Sequence, residues 1–345
     1  MTTKRANDRK LYMDVMRVFA TLGVVFYHVA GQCWNEVAVG TREWIVYSVY
    51  ANLTLWPVFI FIMLSGALFL SKDCNVTRLY THNIFRLFIS YLFWNCLYAF
   101  FTSLSKGSSV FFDNFINGHY HLWFLPMMMG LYLLVPLLKK ITESDFLTKY
   151  FLILTFVFGF ALPQLIKVLS VFEGEYGAIL NEFISKLDFK YVTGFVVYFI
   201  LGYYLSKLNI DDKGRIIKII CPIVFLFLSL MMALFPMFTD KTQNLFGNYS
   251  FTILLKSIVV YLGIKVIGEH FRPIERYIQC LSKCSFGIYL VHALVIEGLE
   301  TICNFNTLLF EPIFSVPIIS IVVFFISFAI SWILNKLPFF NKYFV

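Results

Sequence analysis

Charge is what this sequence has least of. Only 14% of its 345 residues are Asp, Glu, Lys or Arg, against 59% hydrophobic residues and a mean hydropathy of +0.77. Too little polar surface remains to coat a soluble globule, which excludes a water-soluble domain. Metal-binding cysteine patterns are also missing. The seven cysteines (Cys33, Cys74, Cys96, Cys221, Cys280, Cys284 and Cys303) are scattered, with no CxxC pair and no Cys/His cluster at ligand spacing, so no metal site is expected and the thiols are assigned to packing. No long polar loop, low-complexity tract or sequence repeat is present, which leaves residues 1–345 as a single integral-membrane domain. Alternation of period two, the mark of a spanning barrel strand, is absent as well.

Long apolar runs are abundant. Helix of about 20 residues crosses roughly 30 Å of hydrocarbon, and runs of that order fall near 11–31, 44–70, 84–104, 122–138, 149–167, 190–206, 216–236, 249–267, 284–303 and 313–335. The expected fold is all-α, a polytopic membrane helix bundle of about ten transmembrane helices. Cytoplasmic loops carry the excess of Lys and Arg. With both termini cytoplasmic, the inner segments and adjoining helix ends hold 21 of the 28 Lys and Arg, the outer segments hold 6, and Lys256 falls inside the eighth span. The net charge of +8 is then a consequence of topology and calls for no nucleic acid. A basic start before an apolar run resembles a signal peptide. This run is longer than a typical signal core, contains Arg17 and His28, and precedes nine more spans, so it is taken as a retained first helix.

An arginine and a histidine inside a spanning helix need an explanation, because each is costly in hydrocarbon and usually marks a polar path. Eleven residues separate Arg17 from His28. At 100° and 1.5 Å per residue, that is three turns plus about 20° and about 16 Å of rise, so both share one face. Arg17 sits near the cytoplasmic boundary and His28 deep toward the outer leaflet. Asp14, one turn before Arg17, can pair with it, and Thr21, one turn after, falls on the expected channel face. The arrangement suits an elongated anion whose phosphates lie near Arg17 and whose reactive end lies near the imidazole.

The pattern resembles the acyltransferase 3 family of multi-pass membrane acyltransferases. Arg17, ten residues and His28, within MDVMRVFATLGVVFYH, match its opening R-x10-H signature. VFIFIMLSGALFL (58–70) resembles its aromatic-rich second helix around a Ser-Gly pair, HLWFL (121–125) its H-x-W-F-L entry to the fourth span, and SFGIYLVH (285–292) its late S-[FY]-[GS]-x-Y-x-x-H segment. The resemblance implies transfer of an acyl group, usually acetyl from acetyl-CoA as co-substrate, to a hydroxyl of a cell-surface carbohydrate. It implies His28 as the catalytic histidine, Arg17 as a holder of the CoA phosphates, and Arg86 as the second arginine of an R-x-x-R pair. The chain departs from that pair: Asn83 stands at the first arginine, leaving Arg78 and His82 as nearby compensating groups.

The chemistry fits the residue types. A sugar hydroxyl becomes a nucleophile when a base takes its proton, and imidazole can do so near neutrality; an acyl-histidine intermediate is the other route. His121 and Trp123, at the outer mouth of the fourth span, suit stacking on an acceptor sugar, though an interfacial aromatic belt would look the same. Ser285, Tyr289 and His292 form a polar stripe along the ninth span, with helix packing as the plain alternative. Glu297 and Glu300, further out on that helix, are expected to face headgroups or water. The partners implied are acyl-CoA, a carbohydrate acceptor and membrane lipids, in the cytoplasmic membrane. Succinyl or another acyl transfer, and a polysaccharide transporter or flippase using the same cavity, are the competing functions.

Overall fold

The computed structural model describes residues 10–71, 75–172, 194–237 and 250–345, with the isolated positions 179 and 182. Helices α1 (Leu11–Gly31), α2 (Arg42–Leu53), α3 (Pro57–Phe69), α4 (Phe85–Lys106), α5 (Phe124–Thr142), α6 (Asp145–Phe156), α7 (Leu162–Phe172), α8 (Val196–Lys207), α9 (Gly214–Leu234), α10 (Phe251–Ile267), α11 (Glu275–Cys303), α12 (Pro312–Lys336) and α13 (Pro338–Tyr343) follow in order. No strand occurs among the described residues, and the all-α membrane bundle stands. Hydroxyl caps start several helices where the sequence turns polar: Thr41, Ser144 and Ser250 accept from the backbone N–H groups of Trp44, Leu147 and Ile253.

Among the described residues, eight stretches are long and apolar enough to cross a membrane. The seventh, Phe251–Cys303, holds both α10 and α11, separated by the tight turns of Gly268–Ile274. The sixth expected span, 190–206, begins outside the described residues, and only the 12 residues of α8 remain of it. Most of the expected outer connection at 168–189, and Cys74, also fall outside the described residues.

The second span differs from expectation. It is two helices, α2 and α3, broken at Thr54–Trp56 with Pro57 opening α3. Proline cannot supply an N–H and clashes with the preceding turn, so the break frees carbonyls at membrane depth, where each needs a partner. The buried Lys256 ammonium donates to Asn52 O, and Trp56 Nε1 donates to Leu53 O at 2.9 Å. The lysine inside the eighth span thus caps a helix broken in the second.

Two contacts set the bundle's spacing. A Cβ on Gly66 would lie 1.8 Å from Phe199 O, and one on Gly202 would lie 1.9 Å from Met63 O, so α3 and α8 touch backbone to backbone through paired glycines. At one end of the bundle Gly268 packs on Tyr12, Ser282 bonds Asp14, and Arg86 bonds Val345. At the other, Gln32 bonds Glu300 and Tyr47 bonds Thr307. The first and last described residues therefore share the end that carries the basic segments. Exposed apolar side chains such as Phe88, Leu133, Ile153, Ile223 and Phe325 coat the flanks, as expected when the solvent is hydrocarbon.

Candidate functional site: a histidine cluster at the end of an arginine-lined cavity

The break in the second span opens a cavity of about 170 Å³ against α1, lined by His28, Thr54, Pro57, His121, Trp123 and Tyr289 among others. A second cavity of about 180 Å³ adjoins it toward the inner end, where Arg17, Ser65, Tyr132, Ser285 and Phe286 contribute. Val24, Val58, Phe124 and Tyr289 line both, so together the two run along α1 from Arg17 to His28. Val24 and His28 each lie about 20° from the direction of Arg17 and face this space. Thr21, about 40° from Arg17 and only about 20° beyond His28, nevertheless lines neither cavity: it is buried, with its hydroxyl bonded to Arg17 O at 2.7 Å.

Arg17 is anchored as its spacing suggests. Its Nη1 lies 3.1 Å from Asp14 Oδ1, and the buried Asp14 carboxylate also accepts from Ser282 Oγ at 2.6 Å. Asp14 holds the arginine and does not itself line either cavity. Arg86 is placed differently. Its guanidinium donates to Val345 O and sits 5.6 Å from the ring of Phe286, which lines the inner cavity, while Arg86 itself lines neither cavity. Ser90 and Trp94, one and two turns along α4, donate to Tyr343 O and Phe344 O at 2.8 and 3.0 Å. One face of α4 thus grips the last residues of the chain. Arg78 and His82 are exposed at the inner end, outside both cavities.

Around His28 the bundle gathers three more histidines. Ring centroids of His28 and His292 are 5.1 Å apart, those of His28 and His121 6.5 Å, and those of His121 and His292 5.1 Å. His292 Nδ1 donates to Tyr289 O at 2.6 Å, which leaves Nε2 as the bare acceptor, buried and without a partner among the described residues. The fourth ring, His119, was not anticipated, and neither was its contact with Glu297: His119 Nε2 lies 2.8 Å from Glu297 Oε1 and His119 Nδ1 lies 2.8 Å from His121 Nδ1. Glu297 therefore faces the cluster with one oxygen as well as the outer boundary. Glu300, one turn on, takes Gln32.

Local structure explains how these rings arrive. Gly118, at φ +75°, turns the chain out of the short helix Phe111–Asn117, a backbone shape that suits glycine. Asn95 fixes that helix through Phe115 O at 2.6 Å, the Tyr289 hydroxyl donates to His121 O, and Tyr98 stacks on His119 at 4.1 Å while bridging Leu290 O and Leu294 N. The stripe along α11 divides accordingly: Ser285 lines the inner cavity, Tyr289 both, and His292 packs behind His28. Burial, reinforced by His292, His119 and His28, holds the His121 imidazole well below its usual pKa near 6.5, so the ring is neutral at pH 7. No group of three or more His, Cys, Asp and Glu among the described residues has metal-binding geometry.

A multi-pass helical membrane protein with an interior polar path, arginine at one end and histidines at the other, is what fold and site define. The chain belongs to a specific family of such proteins: a model described as an acyltransferase domain, acyltransferase 3, matches residues 10–336. Among curated proteins it is similar to the "Probable poly-beta-1,6-N-acetyl-D-glucosamine export protein" of Staphylococcus aureus strain Mu50, with 24% identity over 275 residues and 76% of each chain covered. The protein of the same name in Staphylococcus epidermidis is 22% identical over 326 residues, covering 91% of this chain and 90% of its own. No solved structure matches the chain.

Proposed function

We propose that the protein is a cytoplasmic-membrane O-acyltransferase. It moves an acyl group, acetyl from acetyl-CoA in the first instance, to a hydroxyl of a cell-surface polysaccharide or its lipid-linked precursor. The observation that carries this reading is the pair of adjoining cavities from Arg17 to His28. An acyl-CoA entering from the inner end would place phosphate near Arg17, whose fork suits phosphate oxygens, and its thioester near His28. Ser65 and Tyr132 offer hydroxyls along the way. A sugar would enter past Trp123 and His121 at the outer end. His28 is the catalytic histidine in this scheme: it takes the hydroxyl's proton as oxygen attacks the thioester carbonyl, then returns it to the leaving sulfur. Holding both reactants in one cavity replaces a bimolecular encounter.

The relatives' names point to a β-1,6-linked N-acetylglucosamine polymer as the acceptor to try first, and they equally support a second reading in which the protein exports such a polymer without modifying it. One experiment separates them. Purified protein in nanodiscs is given acetyl-CoA or succinyl-CoA with β-1,6-N-acetylglucosamine oligomers, while free CoA and product mass are followed. Acylated oligomer identifies the donor and supports the enzyme. Unchanged oligomers with every donor, alongside polymer retained inside cells lacking the protein, would instead support export.

A further inference from the structure

We propose that Glu297, acting through His119 and His121, is the counter-charge and orienting group for His28. This inference rests on the acyltransferase reading above. With His119 singly protonated, the hydrogen bonds run one way along the line. A carboxylate only accepts, so at 2.8 Å from Glu297 Oε1 it is His119 Nε2 that carries a proton. A neutral His119 then has a bare Nδ1, and the 2.8 Å contact requires His121 to donate from its own Nδ1. His121 Nε2 is left bare. That atom is buried with no hydrogen-bond partner among the described residues, although its ring lines the same cavity as His28.

A buried polar atom without a partner calls for an explanation, and here a chemical one is at hand. His28 makes no hydrogen bond to the described residues, and the rings of Tyr27, Tyr120, His121 and His292 surround it. When the acceptor oxygen attacks, a C–O bond forms, the thioester C–S bond breaks, the hydroxyl proton goes to His28, and that proton is then delivered to the leaving sulfur. In between, His28 is an imidazolium with a second N–H and a positive charge in a buried site. His121 Nε2 is the acceptor presented to that N–H. Direct contact brings the His119 and His121 centroids to 4.9 Å, so the 6.5 Å between His28 and His121 leaves room for one bridging oxygen or a modest ring movement. His292 also offers a bare Nε2, but behind it stand neutral backbone carbonyls, those of Tyr289 and Ile288. Behind His121 stands a full negative charge. The arrangement extends carboxylate–histidine support by one ring, and it makes His119 and Glu297 positioning residues.

The test uses full-length protein in nanodiscs, with the donor and oligomer that show transfer. Glu297→Gln keeps an acceptor for His119 and removes only the charge; His119→Phe keeps the stack on Tyr98 and cuts the line. Each should lower kcat about 100-fold, with KM for acyl-CoA unchanged. The double variant should be no slower than His119→Phe alone, because the charge no longer reaches His121. Glu297→Asp should recover part of the loss seen in Glu297→Ala. Additive losses, or a Glu297→Gln enzyme with wild-type kcat, would overturn the inference while leaving the acyltransferase reading intact. A wild-type protein that moves no acyl group would remove both.

Discussion

His28 and His292 face each other from the first helix and from α11, their ring centroids 5.1 Å apart and their planes 36° from parallel. Only His28 of the two lines the outer cavity. The motif that ends at His28 and the motif that ends at His292 thus converge on one point, with His28 on the cavity wall and His292 packed behind it.

His28→Ala should therefore insert normally and lose acyl transfer to near background, a fall of about 100-fold or more if proton transfer is its contribution. His270→Ala alters an exposed ring in the turns between α10 and α11 and should match wild type. Mass spectrometry of the glycan, with membrane levels checked by immunoblot, decides it. A His28 variant that still acylates would remove the catalytic assignment.

The two arginines should separate in a binding experiment. Arg17 lines the inner cavity, whereas Arg86 is engaged with Val345. Labelled acetyl-CoA should bind Arg17→Ala about tenfold more weakly, and Arg17→Lys should recover part of that loss, since ammonium supplies charge without the fork. Arg86→Ala should lose less affinity and more thermal stability, because it releases the last residues of the chain. Equal affinity losses at both positions would place Arg86 on the donor after all.

Backbone contact between α3 and α8 gives a stability prediction that does not depend on the function. Gly202→Ala puts a methyl where the Met63 carbonyl now sits, and helix separation is the only relief. Overpacking of this kind costs about 1–3 kcal/mol. The variant should show a lower unfolding temperature in detergent, while Gly130→Ala, whose added carbon meets nothing within 4 Å, should not.

What the sequence revealed and what it hid divide along chain separation. Continuous apolar runs carry their own evidence, so the helices were legible, and R-x10-H placed Arg17 and His28 on one face by periodicity alone. The break at Thr54–Trp56 was not, because a proline in an apolar run is compatible with an unbroken span; what satisfies the freed carbonyl is Lys256, 204 residues away. His119 lay two residues before a recognised motif, yet its value comes from Glu297, 178 residues on. Near a helix end, a glutamate gives no local sign of whether it meets water or a buried ring. Arg86 was found by its motif, and its direction was set by residues 343–345, which no motif describes.

A donor made in the cytoplasm reaches His28 only if the Arg17 end of the cavity opens inward, and positive-inside counting supports that orientation. In a cysteine-free background, Ser109→Cys and Leu309→Cys should react with an impermeant thiol reagent in intact cells. Glu143→Cys and Asp212→Cys should react only after the membrane is opened; all four positions are exposed loops or helix ends. Ser65→Cys, on the inner cavity wall, should react with a small permeant reagent and be protected by acetyl-CoA. Thr21→Cys should be slow with or without acetyl-CoA, because that side chain is buried away from the cavity. Inverted loop labelling would put Arg17 outside, where CoA is absent, and would end the acyl-CoA reading. Correct loops with an unprotected Ser65→Cys would leave the enzyme class standing and move the donor to another path through the bundle.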